Sequence, residues 1–476
     1  MKIVPRLVAL AIALLFVAGV VVYFRPDLLP PGRFHPRSLV HWLKGEPLHP
    51  WVSTDPGGRY VVRLWDIGWP VFRKDILNYE AYLEYAVQGF TAAHPNVRVE
   101  VKLFGLAKDE EYFIQTLALG ERPDVISGPF HPWMVRQGML ADLTAFFDDK
   151  ERAEFLPGAL SLMTWEGRVW GYPRWLDLQF ILANAVSLHK AGIDPEAVGR
   201  DGWTWEQFIA AVEKIKGTGQ TPLILNTAGL SGLEILVRSL GGGPPFDASG
   251  NLVWAAKEIE PAVALVSTLT KRGIIPSPPS KFQSSMVERF WSGQAAMLGP
   301  VDSGLLRHLR ERNSGVVGAA PGEKPAVGFD VALLPFPRAK DAPPVYGTVY
   351  AAMVLEHEKP DQMKAAADVA RYLARTPFPK MTSALQFVSC HKPELAATVS
   401  ELSVEKGKPG LVRLLGEGVI CGLRSELPFN PPVSVGAKKI SRAIAAYWDR
   451  PTTAERVLQA LHKSMTEPLP PPPKKK

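Results

Sequence analysis

The stretch Thr164–Asn184, TWEGRVWGYPRWLDLQFILAN, is the segment around which the rest of the chain can be arranged. An aromatic-rich run ends at Gly171-Tyr172-Pro173, and a strand-like apolar run, Leu178–Leu182, follows at once. Because glycine frees the backbone and proline fixes it, a strand that reaches this point must turn or cross into another part of the fold. We therefore expect a crossing between two parts of the molecule, with a surface turn beside a buried tryptophan as the alternative.

Three side chains directly after the turn have the composition of a ligand site. Arg174 is a donor, Trp175 offers a large flat apolar face, and Asp177 is an acceptor. Such a combination at a crossing suits a ligand that is held between two parts of a protein.

The length of 476 residues is too great for one hydrophobic core, so two α/β lobes with appendages are expected. A hydrophobic content of 46% with 21% charged residues is typical of a folded globular protein. The net charge of +7 arises at the ends, because residues 1–44 carry +5 and the three terminal lysines carry +3. The body between them carries −1, which gives no reason to expect a nucleic-acid partner.

The N-terminal segment, residues 1–25, contains the apolar run Leu7–Phe24 behind two basic residues. As a helix this run would be roughly 27 Å long, enough to cross a hydrocarbon core. We expect an uncleaved membrane anchor with the body on the extracytoplasmic side. A cleaved signal peptide is the alternative, although no small-x-small site follows the run. Residues 26–54 are proline-rich and predict a stiff spacer, and residues 466–476 predict a disordered basic tail.

The body opens with a β-α-β pattern. The segments Tyr60–Trp65 and Val97–Leu103 have strand patterns, and between them apolar residues recur at helical spacing over Tyr79–Ala93. Such a unit predicts a sheet with parallel strands. The loop Gly128–Trp133 follows a short strand at Asp124–Ser127, at the carboxyl edge where open α/β sheets bind ligands.

Later elements follow the same alternation. Thr204 and Gln207 have the spacing of a capping box, with Trp203 and Phe208 placed to staple across it. Further segments predict a helix over 109–119, strands at 223–226, 295–298, 330–334 and 347–355, a turn at 299–300, and helices over 282–293, 361–373 and 452–465.

The motifs of metal and nucleophile chemistry are missing from the sequence. Its ten histidines form no H-E-x-x-H pair, and no G-x-S-x-G elbow is present. Asp66, Asp177 and Asp302 are candidates for the paired carboxylates of a glycan-cleaving enzyme, but their separation depends on the fold. Hydrogen bonding to a ligand or capping a helix is the expected role of these carboxylates.

Tryptophans at predicted strand ends favour a sugar ligand. Flat apolar faces beside carboxylates suit a molecule that carries both C–H faces and hydroxyls. The residues concerned are Trp65, Trp69, Trp133 and Trp175.

The sequence has two cysteines, Cys390 and Cys421, which are too few for a zinc site. With the body outside the cell we expect them to form a disulfide, and two separate buried thiols are the alternative.

A series of short motifs carries a resemblance to a known family. They are Gly89-Phe90, Pro95-Asn96-Val97, Arg122-Pro123-Asp124-Val125, Gly138–Leu143, Gly171-Tyr172-Pro173, Trp203–Phe208, Phe290–Met297 and His357–Pro360. In this order, from about Tyr60 to Met465, the chain resembles the extracellular solute-binding proteins of family 1, the maltose-binding-protein-like group of ABC importers. It departs from the family in lacking a lipid-bearing cysteine, at Val301-Asp302, and at Val388–Lys392.

The resemblance implies an α/β fold of two periplasmic-binding-protein-like lobes with hinge crossings. Lobe one would comprise 55–173 and 299–352, and lobe two 174–298 and 353–465. The cleft would hold a mono- or oligosaccharide, without a cofactor, for delivery to the membrane subunits of an ABC permease. The ligand-binding residues are then expected to be Trp65, Asp66, Trp69, Ser127, Phe130, Trp133, Trp175, Asp177, Asn226, Asp302 and Tyr350.

Two other functions remain open at this point. One is a membrane-tethered enzyme that cleaves glycans with two cleft carboxylates. The other is a module that senses the ligand without transporting it.

Overall fold

The computed structural model describes residues 48–52, 54–55, 57–69, 71, 78–105, 122–130, 132–226, 230–246, 252–276, 284–313, 329–343, 345–376, 379–395, 420–422 and 453–466. The predicted anchor, most of the predicted spacer, the helix predicted over 109–119 and the tail after residue 466 lie outside these ranges. Among the described residues, no helix is long and apolar enough to span a membrane.

The described strands, in chain order, are β1 (Tyr60–Gly68), β2 (Val97–Gly105), β3 (Val125–Pro129), β4 (Thr164–Trp165), β5 (Arg168–Val169), β6 (Tyr172–Asn184), β7 (Thr221–Leu225), β8 (Ala295–Val301), β9 (Val331–Leu334), β10 (Val345–Val354), β11 (Val388–Ser389) and β12 (Ile420–Gly422).

The described helices are α1 (Tyr79–Ala93), α2 (Pro132–Arg136), α3 (Asp149–Ala153), α4 (Pro157–Leu162), α5 (Ala185–Lys190), α6 (Pro195–Asp201), α7 (Trp205–Lys216), α8 (Leu230–Ser239), α9 (Ala256–Lys271), α10 (Ser284–Trp291), α11 (Ser303–Asn313), α12 (Pro360–Arg375), α13 (Pro379–Leu385) and α14 (Ala454–Thr466), with a 3₁₀ turn at Thr144–Phe146.

The predicted β-α-β unit is confirmed as β1-α1-β2. The Asn78 side chain accepts a 2.8 Å hydrogen bond from the backbone N–H of Ala81 and so caps the start of α1. Leu83, Ala86 and Phe90 lie on the buried face of this helix. Strands β1 and β2 pair in parallel along their whole length.

One long strand, β6, belongs to two parts of the sheet. Its first half, 172–179, pairs antiparallel with β10. Its second half pairs with β8 and β9, with Ile181 opposite Leu334. The strands follow the order β2-β1-β3-β10-β6-β8-β7. The crossing predicted after Gly171-Tyr172-Pro173 is therefore present, as one continuous strand.

We call β1, β2, β3, β10 and their helices the first lobe, and β7, β8, β9 and their helices the second lobe. Val62, Leu64 and Met353 lie in the core of the first lobe. Phe208 and Leu236 lie in the core of the second lobe.

The packing of the described elements divides the chain differently from the expected lobe boundaries in two places. Helix α12 packs on β1, β3 and β10, so we assign it to the first lobe. Strands β8 and β9 pair with the second half of β6, so we assign these two strands to the second lobe. An apolar helix face fits either sheet surface, so the order of elements alone does not decide which sheet a helix covers. Helix α14 contacts α9 in the second lobe.

Two local predictions have different outcomes. The capping box is confirmed: Thr204 Oγ1 accepts from Gln207 N, and Gln207 Oε1 accepts from Thr204 N. The rings of Trp203 and Phe208 meet edge to face, with centroids 5.0 Å apart. The predicted turn at 299–300 is wrong, because β8 continues through both residues to Val301.

Candidate functional site

A buried ion pair lies beside the first half of β6. Arg174 Nη1 donates a 2.9 Å hydrogen bond to Asp66 Oδ2, and both side chains are 1% exposed. The hydroxyl of Tyr79 donates to the same oxygen at 2.7 Å, and the backbone N–H of Ile67 donates to Asp66 Oδ1 at 2.8 Å. Arg174 Nη1 also donates to Ser127 Oγ. These contacts connect β1, β3, β6 and α1.

A β-bulge explains how Arg174 reaches this pair. Tyr350 on β10 lies opposite Trp175, and the next residue, Ala351, lies opposite Pro173, so Arg174 has no counterpart on β10. A bulge of this kind locally changes the direction of a side chain. The guanidinium carbon of Arg174 lies 4.2 Å from the centre of the Trp175 ring.

The charge state of the pair follows from its surroundings. Burial disfavours the charged guanidinium, but the oxygens of Tyr79 and Asp66 outweigh it and raise the pKa of Arg174 above its ordinary value. Burial and the Asp66 charge raise the pKa of the Tyr79 hydroxyl well above its ordinary value. Arg174 therefore stays charged, and Tyr79 stays protonated and able to donate.

Three predicted site residues form an aromatic group with Phe387. Trp69 meets Tyr350 and Phe387 edge to face, with ring centroids 4.9 and 4.8 Å apart. Trp175 stacks on Phe387 at 5.8 Å. Trp69 and Trp175 are 6% and 4% exposed, whereas Tyr350 is half-buried. A ligand can therefore stack on either tryptophan only if a neighbouring group moves.

Trp65 and Phe130 are buried near strand ends in the first lobe. The Trp65 ring packs against Phe104 with centroids 5.0 Å apart, and Lys102 Nζ lies 4.7 Å from its centre. Phe130 follows β3 and is 3% exposed. Trp133 belongs to α2, and its side chain lies outside the described part of the structure.

Two predicted carboxylates accept hydrogen bonds from the backbone at the start of α11. Asp177 Oδ1 accepts a 2.9 Å hydrogen bond from the backbone N–H of Ser303. Asp302 Oδ1 accepts from the backbone N–H of Leu305 at 2.9 Å. Both satisfy N–H groups that the first turn of a helix leaves without intrahelical partners. Asp177 is half-buried and Asp302 is exposed.

Asn226 lies next to the same end of β8. Its backbone N–H donates to Gly299 O at 2.7 Å, and its Nδ2 donates to Pro300 O at 3.4 Å. The predicted residues thus fall into two groups, a buried one in the first lobe and a polar one beside the start of α11.

Sequence reasoning missed two members of the buried group. Tyr79 looks like an ordinary apolar-face residue of α1, and nothing in its spacing indicates the bond to Asp66. Phe387 lies beside Val388–Lys392, where the sequence departs from the resembling family, and that departure is the signal that could have indicated it.

The carboxylates proposed for a glycan-cleaving enzyme all have structural partners. Asp66 is bonded to Arg174, and Asp177 and Asp302 accept hydrogen bonds at the start of α11. Among the described residues, no group of three His, Cys, Asp or Glu side chains could hold a metal ion.

The predicted disulfide is not formed, because Cys390 is a free, buried thiol. The backbone N–H of Cys390 donates to Arg174 O. The backbone of Cys421 pairs with Tyr346, which lies opposite Gln179 on β6. Cys390 thus lies beside Arg174 of β6, and Cys421 lies at the level of Gln179, five residues further along that strand. Five strand residues span roughly 16 Å, whereas a disulfide needs the two Cα atoms within about 7 Å.

Known proteins share this architecture. A cyclic alpha-maltosyl-1,6-maltose binding protein from Arthrobacter globiformis matches with a TM-score of 0.64 and 17% identity, over 86% of this chain and 98% of that chain. An ABC substrate-binding protein from Listeria monocytogenes, in complex with cycloalternan, matches with a TM-score of 0.58 and 16% identity, over 86% and 97%. At these identities the two matches establish the two-lobed fold.

The sequence itself is similar to a lactose-binding protein from Rhizobium radiobacter, with 27% identity over 177 residues. That match spans 36% of this chain and 41% of the length of the relative. Residues 74–377 match the family described as bacterial extracellular solute-binding protein. The chain belongs to the bacterial extracellular solute-binding proteins.

Proposed function

We propose that the protein captures a carbohydrate between its two lobes and delivers it to an ABC-type permease, without chemistry of its own. The names of its relatives support a saccharide, since they include binding proteins for lactose and for a cyclic maltosyl-maltose. The family supports a role outside the cytoplasm.

The observation that carries this proposal is the strand that the two lobes share. Asp177 lies where β6 leaves the first lobe, and its side chain already bonds the first residue of α11. Asn226 and Asp302 lie on the second-lobe side of this point, and the half-buried Tyr350 lies on the first-lobe side. A ligand at the crossing would therefore contact the polar groups of Asn226 and Asp302 from the second lobe and the ring of Tyr350 from the first lobe.

Accessibility divides the proposed ligand-binding residues by role. Asp177, Asn226, Asp302 and Tyr350 retain exposed surface and would contact hydroxyls and a sugar face directly. The wall behind them would be formed by the buried residues Trp65, Asp66, Trp69, Ser127, Phe130 and Trp175. A ligand that contacts both lobes favours a closed arrangement by the contacts that this arrangement alone provides.

A thermal-shift screen against neutral mono-, di- and cyclic oligosaccharides tests the proposal. We expect at least one saccharide to raise the melting temperature in a concentration-dependent manner. Chromatography of that saccharide after prolonged incubation should return it intact. A cleaved saccharide would favour the glycan-cleaving enzyme, and a shift with peptides or polyamines alone would contradict a carbohydrate ligand.

We further propose that the chain is held at the outer face of the membrane through the run Leu7–Phe24. Its support is the apolar length of the run and the absence of a small-x-small site after it. Membrane fractionation with N-terminal sequencing tests this proposal. A mature N-terminus between Phe24 and Trp51 would contradict it.

A further inference from the structure

One guanidinium contacts three of the predicted site residues. Nη1 of Arg174 donates to Asp66 and to Ser127, and the guanidinium carbon lies over the Trp175 ring, 4.2 Å from the ring centre. These three partners come from β1, β3 and β6, and Asp66 and Trp175 are 109 residues apart in the sequence. Arg174 is the shared contact of all three.

We infer that Arg174 is the positioning residue of the candidate site, a role that rests on the proposed carbohydrate function. It fixes the Trp175 ring and the Asp66 carboxylate, and through them the first-lobe wall behind the residues that would contact a ligand. With 1% of its side chain exposed, it acts through these neighbours.

The chemistry of the contact requires arginine. A planar guanidinium can lie flat on an indole while its edge donates to a carboxylate and a hydroxyl, whereas the lysine ammonium is a point charge without a plane. The bulge in β6 supplies the direction, because it releases Arg174 from pairing with β10.

Stability alone does not account for this residue. Nε and Nη2 of Arg174 are buried, and the Tyr82 hydroxyl is a further hydrogen-bonding group beside the guanidinium. Apolar replacements of buried ion pairs are often as stable as the pairs themselves. The buried pair of Arg174 and Asp66 is therefore weak evidence for a purely stabilising role.

The decisive variant is the double substitution Asp66→Asn with Arg174→Met, which removes both charges and leaves no unpaired ion. Near-ultraviolet circular dichroism reports how the Trp175 ring is held, and Trp175→Phe identifies its band. Titration with the saccharide found in the thermal-shift screen reports affinity. The matched control is Glu151→Gln with Arg371→Met, which removes an ion pair between α3 and α12 in the same lobe.

We expect the folded Asp66→Asn/Arg174→Met protein to lose the Trp175 band and to bind about tenfold or more weakly. The Arg174→Lys protein should have a Trp175 band and a saccharide affinity between those of this variant and the parent. The control should keep both the band and the affinity. A folded double variant with the parental band and affinity would overturn the inference. If the parent binds no saccharide, the proposed function fails by itself, and the Trp175 band still decides whether Arg174 positions the ring.

Discussion

Asp177, on the strand that joins the lobes, accepts a 2.9 Å hydrogen bond from the backbone N–H of Ser303, the first residue of α11. This bond ties β6, which joins the lobes, to α11, which follows β8. Leu306 of α11 packs into the same apolar cluster as the first-lobe core, and α11 contacts α13. A relative movement of the lobes would therefore change the hydrogen bond between Asp177 and Ser303.

The two roles of Asp177 can be separated by substitution. Asp177→Ala removes the acceptor for Ser303 N and should lower the free energy of unfolding by about 0.5–2 kcal/mol. Asp177→Asn keeps an acceptor oxygen and should retain most of that stability, but it should weaken saccharide binding because the charge is lost. Urea denaturation and calorimetric titration measure the two effects. Equal loss of stability in both variants would show that the charge, and not the acceptor, stabilises the helix start.

The capping box of α7 provides a test away from the crossing. Thr204→Ala removes the oxygen that accepts from Gln207 N and should cost about 1 kcal/mol in urea denaturation. Thr204→Ser keeps the oxygen and serves as the control. Because this cap lies in the second lobe outside the proposed site, neither variant should change saccharide affinity. A Thr204→Ala protein as stable as the Thr204→Ser protein would speak against the cap.

Sequence reasoning was most accurate where local interactions determine the structure. The bounds of α1 follow from its helical spacing, and the start of α7 follows from Thr204 and Gln207, which are three residues apart. The β1-α1-β2 unit follows from the alternation of short apolar segments. Each of these features depends on residues that are close along the chain.

Long-range pairing limited the rest of the prediction. The lobe to which α12 belongs depends on which sheet surface remains open, and the position of Arg174 depends on a register shift between β6 and β10. For the same reason the tryptophans predicted to face a ligand, Trp69 and Trp175, prove to be packed against Phe387. No short segment of sequence encodes these relationships.

The state of the cysteines can be measured directly. Thiol titration of the denatured, unreduced protein should find two reactive thiols per chain, because the strand register keeps Cys390 away from Cys421. In the folded protein the Cys390 thiol should react slowly, since it is buried and burial raises its pKa well above the ordinary value. If no reactive thiols are found after denaturation, the two cysteines form a disulfide and the two-thiol prediction is wrong.

The lowered pKa of the buried His391 leads us to expect that the stability of the protein depends on pH. Burial lowers the pKa of His391, and the Arg375 charge adds to this effect, although a bond to Glu154 opposes it. Just below pH 6.5, His391 therefore binds a proton more readily in the unfolded chain than in the folded protein. The contribution of His391 to the free energy of unfolding is fully present above pH 6.5, and it decreases as the pH falls from 6.5 towards the lower pKa of the folded protein.

Urea denaturation at about pH 7.5 and about pH 5.5 measures this dependence. His391→Gln should lose less stability between the two conditions than the parent does. Glu151 does not confound the comparison: burial opposes ionisation, but its bonds to Arg371 and Arg375 lower its pKa, so its contribution is lost below about pH 4.5. The same loss in variant and parent would contradict the assignment to His391.

The central claim, that a carbohydrate is captured between the lobes, is tested most directly by isothermal titration calorimetry with purified protein and the saccharides of the screen. The account predicts saturable binding of one saccharide per chain, weakened about tenfold or more by Asp177→Ala at the energies of a charge-assisted hydrogen bond. Absence of heat with every saccharide, together with saturable binding of a peptide, a polyamine or a metal ion, would contradict it.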